Sequence, residues 1–163
     1  MTAKDVLLGN MDLCMSVLNT YVSDLSDADL LRRPAPRANH LAWQLGHLIQ
    51  SENFLMNSLS PGSMPALPAG FAEQHNQAAA ESDDPARFLT KQQYMKLFKQ
   101  QREATRKVVA GIDEADLDKP GPERMRRICP TIGSFLILVG NHPMMHAGQF
   151  ATVRRLLDKP VLI

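Results

Sequence analysis

The five histidines are the side chains of this sequence best suited to proton or metal chemistry at neutral pH, and their spacing decides which chemistry that is. His142 and His146 stand four residues apart. On a helix turning about 100° per residue their Cβ directions differ by about 40°, so both can reach one ion. Phe135, Leu138, Val139, Val153, Leu156 and Leu157 fall within about 60° of His142 on the same regular period, which predicts that the pair sits mid-stripe in a core. A buried imidazole has two ring nitrogens that water no longer serves, and an unpaired one costs on the order of 1–3 kcal/mol. Carbonyls and side chains would satisfy them, and so would a divalent cation shared between the two rings.

The elements that must position these residues are helical almost throughout. Leu7, Met11, Cys14, Leu18, Tyr21 and Leu25 recur every three or four residues and predict a first helix of roughly 20 residues, broken by Ser26 to Pro36. A second helix is predicted from a cap at Asn39 to Leu59, where Ser60, Pro61 and Gly62 end it. Ser60 to Pro85, with Pro61, Pro65, Pro68 and Pro85, reads as a long connection, a length typical of a lid, a binding loop or a crossover. A third helix is expected from Thr90, with Gln93 completing a capping box, to Ile112. The prolines between Lys119 and Pro130 forbid a continuous helix, and a last one is expected from Thr131 to Leu157. Four long amphipathic segments with one crossover describe an all-α four-helix bundle, one domain over residues 1–163.

The second segment is apolar on two sides. His47 shares one with His40, Trp43, Ser51 and Phe54, while Leu41, Leu45, Leu48, Leu55, Met56 and Leu59 occupy the other. One side can face the interior and the other a second copy of the chain, so a homodimer is expected, unless the long connection covers that side instead. In the last segment Pro143 follows His142 directly and removes the N–H that would bond the carbonyl of Val139, a loss of about 3 kcal/mol that something should compensate.

Composition narrows the function. The chain has 163 residues, 44% of them apolar, with a net charge of +1, which disfavours an electrostatic nucleic-acid binder. The longest apolar run, Phe135 to Val139, is far short of the ~20 residues that span a bilayer, and Met1 to Asp12 lacks a secretory pattern, so a cytoplasmic, membrane-free protein is expected. Cys14 and Cys129 are too few for a disulfide framework or a thiolate site. There is no H-E-x-x-H, G-x-S-x-G, P-loop or dinucleotide turn.

The segments Asn39-His40-Leu41-Ala42-Trp43-Gln44-Leu45-Gly46-His47-Leu48 and His142-Pro143-Met144-Met145-His146-Ala147-Gly148-Gln149 resemble the two signature regions of the DinB-like (DinB/YfiT) superfamily. The resemblance follows the whole chain in helix order. It implies a four-helix bundle with a long crossover, often dimeric, and one divalent metal held by His47, His142 and His146. It also implies a small metal-dependent enzyme, of the thiol-dependent transferase or hydrolase type, acting on a small molecule with a low-molecular-weight thiol as candidate partner. The alternative is a non-catalytic metal-binding or stress-response protein in which the metal is structural.

Three neutral imidazoles without a fourth protein ligand leave positions open on an ion, and Zn, Ni, Fe and Mn all suit imidazole. Gln149, Glu52, Tyr94 and Gln101 are the candidates for supporting or acid–base roles. Gln149 follows His146 by three residues on the same face, and Glu52 interrupts the leucine stripe, where it must be ion-paired, exposed or raised in pKa. His40, about 10 Å along the axis from His47, reads as a cap or a supporting residue rather than a ligand. His75, in the connection, reads as solvated, with a role over the site as the alternative.

Overall fold

The computed structural model describes all 163 residues and is helical, without strands. Four long helices carry it: α1 (Ala3–Val22), α2 (Leu41–Leu59), α4 (Lys91–Gly111) and α5 (Ile132–Leu156), with a short α3 (Phe71–Gln74) between α2 and α4. Three of the long helices begin with a capping box: Thr2 with Asp5, Thr90 with Gln93, and Thr131 with Ser134. Each box satisfies two orphan amide donors where a helix would otherwise fray. The cap of α2 is His40 and not Asn39, because the His40 Nδ1 accepts the amide of Trp43 at 3.1 Å. Leu25 belongs to the apolar stripe and is buried, yet α1 has already ended at Val22.

The long helices pack most extensively in two pairs, α1 with α5 and α2 with α4, and the pairs meet more sparingly along α2/α5 and α1/α4. Their apolar faces form two core clusters. One surrounds Leu18, Leu45, Leu48, Phe98 and Phe150; the other surrounds Met11, Met56, Val109, Phe135 and Val139. Between them in chain position lie Cys14, Glu52, Arg102, Thr105 and His142, a polar layer that divides the core. Both cysteines are buried free thiols.

The connection from α2 to α4 is not the bare loop that its prolines suggest. It contains α3 and 3-10 turns at Ala79–Glu81 and Pro85–Arg87. Phe71 enters the larger core cluster, and Ala79, Ala80 and Phe88 pack on Trp43. The connection therefore covers α2 around Trp43, while Phe54 on the same side stays exposed. Arg33 ties the same segment down, donating to the carbonyls of Ala38 and Ala80 and pairing with Asp83 at 2.7 Å. No helix is long and apolar enough to cross a membrane.

Candidate metal centre

His47 on α2 faces His142 and His146 on α5 across the sparser α2/α5 contact. The ring centroids are 5.2 Å apart for His47 and His142, 5.4 Å for His47 and His146, and 5.0 Å for His142 and His146. One ring nitrogen from each lies within 4.8 Å of the others. Donors about 2.0–2.1 Å from a tetrahedral ion stand about 3.3 Å apart, so modest side-chain rotation would close the set on a cation. The three rings are half-buried. They are less enclosed than a mid-stripe position implies, and the α2/α5 contact that they span is one of the sparser ones between the long helices.

Each ring has a different support. His146 Nδ1 lies 2.8 Å from Gln44 Oε1, an acceptor, so that nitrogen carries the proton and Nε2 is left with a free lone pair. The orientation of the Gln44 amide is fixed in turn, since its Nε2 donates to the carbonyl of Asn39 at 2.6 Å and to Gln149 Oε1 at 3.0 Å. Gln149 thus acts through Gln44, from an exposed position on α5. His47 stacks on Trp43 with ring planes 5° apart, and the Trp43 indole N–H is held by the carbonyl of Asn76 at 3.0 Å. The only rings beside His142 are its two histidine neighbours, and its side chain makes no hydrogen bond.

Burial lowers the pKa of all three rings. For His142, burial, then His47, then the positive Arg102 bring it to about 4. For His146, burial followed by His142 and His47 does the same, to about 4, and burial alone lowers His47. At neutral pH the three are therefore neutral, the form that ligates a metal.

The other histidines and candidates lie elsewhere. His40 caps α2 and holds the carbonyl of Ser82 through Nε2 at 3.1 Å. His75 is buried and not solvated, with Nδ1 on the carbonyl of Phe71 at 2.8 Å and Nε2 on the Tyr94 hydroxyl at 2.7 Å. Its ring lies so close to Gly46 that a Cβ there would meet it at 1.9 Å, which is why α2 carries a glycine in mid-helix. Tyr94 is used up by His75 and by the amide of Leu89, and burial raises its pKa, so it serves the connection and not the three-histidine group. Gln101 likewise holds the chain after α2, accepting from Asn53 and donating to the carbonyl of Pro65. Glu52 forms a buried ion pair with Arg102 of α4 at 3.1 Å, in mid-helix. Burial raises its pKa against the opposing effect of the guanidinium.

Gln44 and Arg102 were not singled out by the sequence reading. A buried amide three residues before His47, in a helix otherwise rich in leucine, is the signal that points to Gln44. Arg102 gives no such signal, because a basic residue on an amphipathic helix ordinarily faces water.

A family model described as the DinB superfamily matches residues 11–150. No curated protein matches the sequence. A crystal structure of a conserved protein from Enterococcus faecalis shares the fold, with a TM-score of 0.72 at 16% identity, over 98% of this chain and 99% of that one.

Proposed function

This chain belongs to the DinB superfamily, and on that premise we propose that His47, His142 and His146 hold one divalent transition metal in an open site that serves a small metal-dependent transferase or hydrolase. The observation that supports this reading is the approach of three neutral imidazole nitrogens, from two helices, to within 4.8 Å of one another. The donor set fits such an ion. The rings are uncharged at neutral pH, the His146 tautomer presents a lone pair, and no carboxylate or thiolate joins the group as a fourth ligand. When bound, the ion would supply Lewis acidity toward a thiol, carbonyl or phosphoryl group of a small substrate.

The chain's own residues then do three things. Gln44, held by Asn39 and Gln149, fixes one ligand's proton on the side away from the site. Trp43 holds the plane of His47. The half-exposed rings leave the site reachable from solvent, as a small substrate such as a low-molecular-weight thiol requires. In this reading the four long helices form one bundle domain over residues 1–163, with the α2–α4 connection as its crossover.

Elemental analysis of untagged protein tests the proposal. About one equivalent of metal in the parent, lost in both His47→Ala and His146→Ala, is the expected result; unchanged content in either variant removes the assignment. Added thiol separates the enzyme from a structural role. A cobalt-loaded protein whose visible spectrum shifts with thiol has an open position, and one indifferent to thiols and chelating fragments has not.

A further inference from the structure

Polar groups inside a core are normally hydrogen-bonded, and those that are not require an explanation. The Glu52–Arg102 pair is the largest exception here. Glu52 is 4% and Arg102 3% exposed, and the two approach to 3.1 Å. Even so, neither carboxylate oxygen and none of the three guanidinium nitrogens makes a hydrogen bond of ordinary geometry, although the Thr105 hydroxyl stands beside the carboxylate and favours its charged form. The contact is ionic without being aligned, and a buried pair of that kind is no gain in stability over two apolar side chains of similar size.

Its surroundings suggest what the carboxylate is there for. Glu52 and His142 line one narrow void together with Leu48, Leu55, Val139 and Pro143, and it is too tight for a water molecule. From this void water does not reach the carboxylate, and the protein donors around it are Arg102, the Thr105 hydroxyl and the ring of His142. Of the three clustered imidazoles, His142 is the one with neither a hydrogen bond nor an aromatic partner outside the group, whereas His146 has Gln44 and His47 has Trp43. An acceptor with lone pairs to spare and an unserved donor thus line the same void. A histidine that ligates a metal through one nitrogen characteristically donates its other N–H to a carboxylate or carbonyl.

We propose that Glu52 is the positioning residue of His142: held in the core by Arg102, its carboxylate accepts the ring N–H of His142 that points away from the metal. The inference rests on the three-histidine reading above. It gives each imidazole its own support, an amide for His146, an indole face for His47 and a carboxylate for His142. It also accounts for a charged pair in the polar layer that divides the two core clusters.

Zinc affinity, measured by competition with a chromophoric chelator, tests this in the parent and in two paired variants. Glu52→Leu with Arg102→Met removes both charges together, so no lone charge is left buried. It is expected to unfold no earlier than the metal-free parent, yet to bind zinc about 10–100-fold more weakly. Glu52→Gln with Arg102→Met retains an acceptor oxygen and is expected to recover part of the loss. If the Leu/Met variant folds and binds zinc as tightly as the parent, the pair is only structural and the proposal is overturned. A second readout needs no variant: nuclear magnetic resonance of the zinc-loaded parent should show an exchange-protected ring N–H on His142, and its absence overturns the proposal. A parent that binds no zinc, cobalt or nickel sinks the metal-site reading itself, a failure visible before any variant is made.

Discussion

Two neighbourhoods around α2 use the same residue type in opposite ways. Under the α2–α4 connection, His40 and His75 have both ring nitrogens engaged by the protein: Trp43 and Ser82 for one, Phe71 and Tyr94 for the other. Where α2 meets α5, His47 and His142 engage none and His146 engages one. Burial does not separate the groups in kind, since it lowers the pKa of all five rings. What separates them is whether the fold has left a lone pair free. A histidine whose two nitrogens are already bonded is a strut, and three with vacancies facing one another could hold a metal ion.

That division can be broken at several points. The largest effect is expected from Gln44→Leu, which removes the acceptor that sets the His146 tautomer: zinc affinity should fall about 10–100-fold by chelator competition while the helical circular dichroism stays unchanged. Unchanged affinity would show that the tautomer needs no protein support. Gly46→Ala should come next. The added methyl collides with the His75 ring, and overpacking of this kind costs about 1–3 kcal/mol, measurable as a lower urea midpoint. His40→Ala deletes the α2 cap and should cost about 1 kcal/mol in the same measurement, without loss of bound metal at saturating zinc. Metal content that followed His40 instead would erase the distinction between struts and ligands.

The smallest effect at neutral pH grows on acidification. All five imidazoles are held below their unfolded value of about 6.5, so above that pH neither state takes up protons at them and they contribute no slope. Below it the unfolded chain protonates first. The metal-free protein should therefore lose stability from about pH 6.5 downward, through the folded values of His142 and His146 near 4. Urea unfolding at a series of pH values in the presence of a chelator checks the sign, and a midpoint that rises on acidification would contradict it.

Much of this arrangement was legible in the chain itself because it depends on local period. Helical spacing places His142 and His146 together, and the capping residues Thr90 and Thr131 mark two helix starts that the structure retains. The encounter of His47 with that pair followed from the superfamily resemblance, since spacing cannot bring two segments together. The connection was the least legible part. Whether His75 is solvated or buried depends on Gly46, Phe71 and Tyr94, the first two in elements set apart from one another by the stretch that holds Pro61, Pro65 and Pro68. The partner of Glu52 was hidden for the same reason: fifty residues of chain separate it from Arg102, and neither residue carries a local mark of the other.

The pairing of the long helices carries a mechanical consequence. With α1 set on α5 and α2 on α4, the molecule is built as two leaves, and the imidazoles reach from one leaf to the other across the looser seam. In the proposed reading a cation gripped from both sides would act as a rivet, adding to the cohesion of the leaves by an amount that grows with free metal concentration. Amide exchange along the facing sides of α2 and α5 would then gauge occupancy, slowing with the rivet in and quickening when a chelator draws it out.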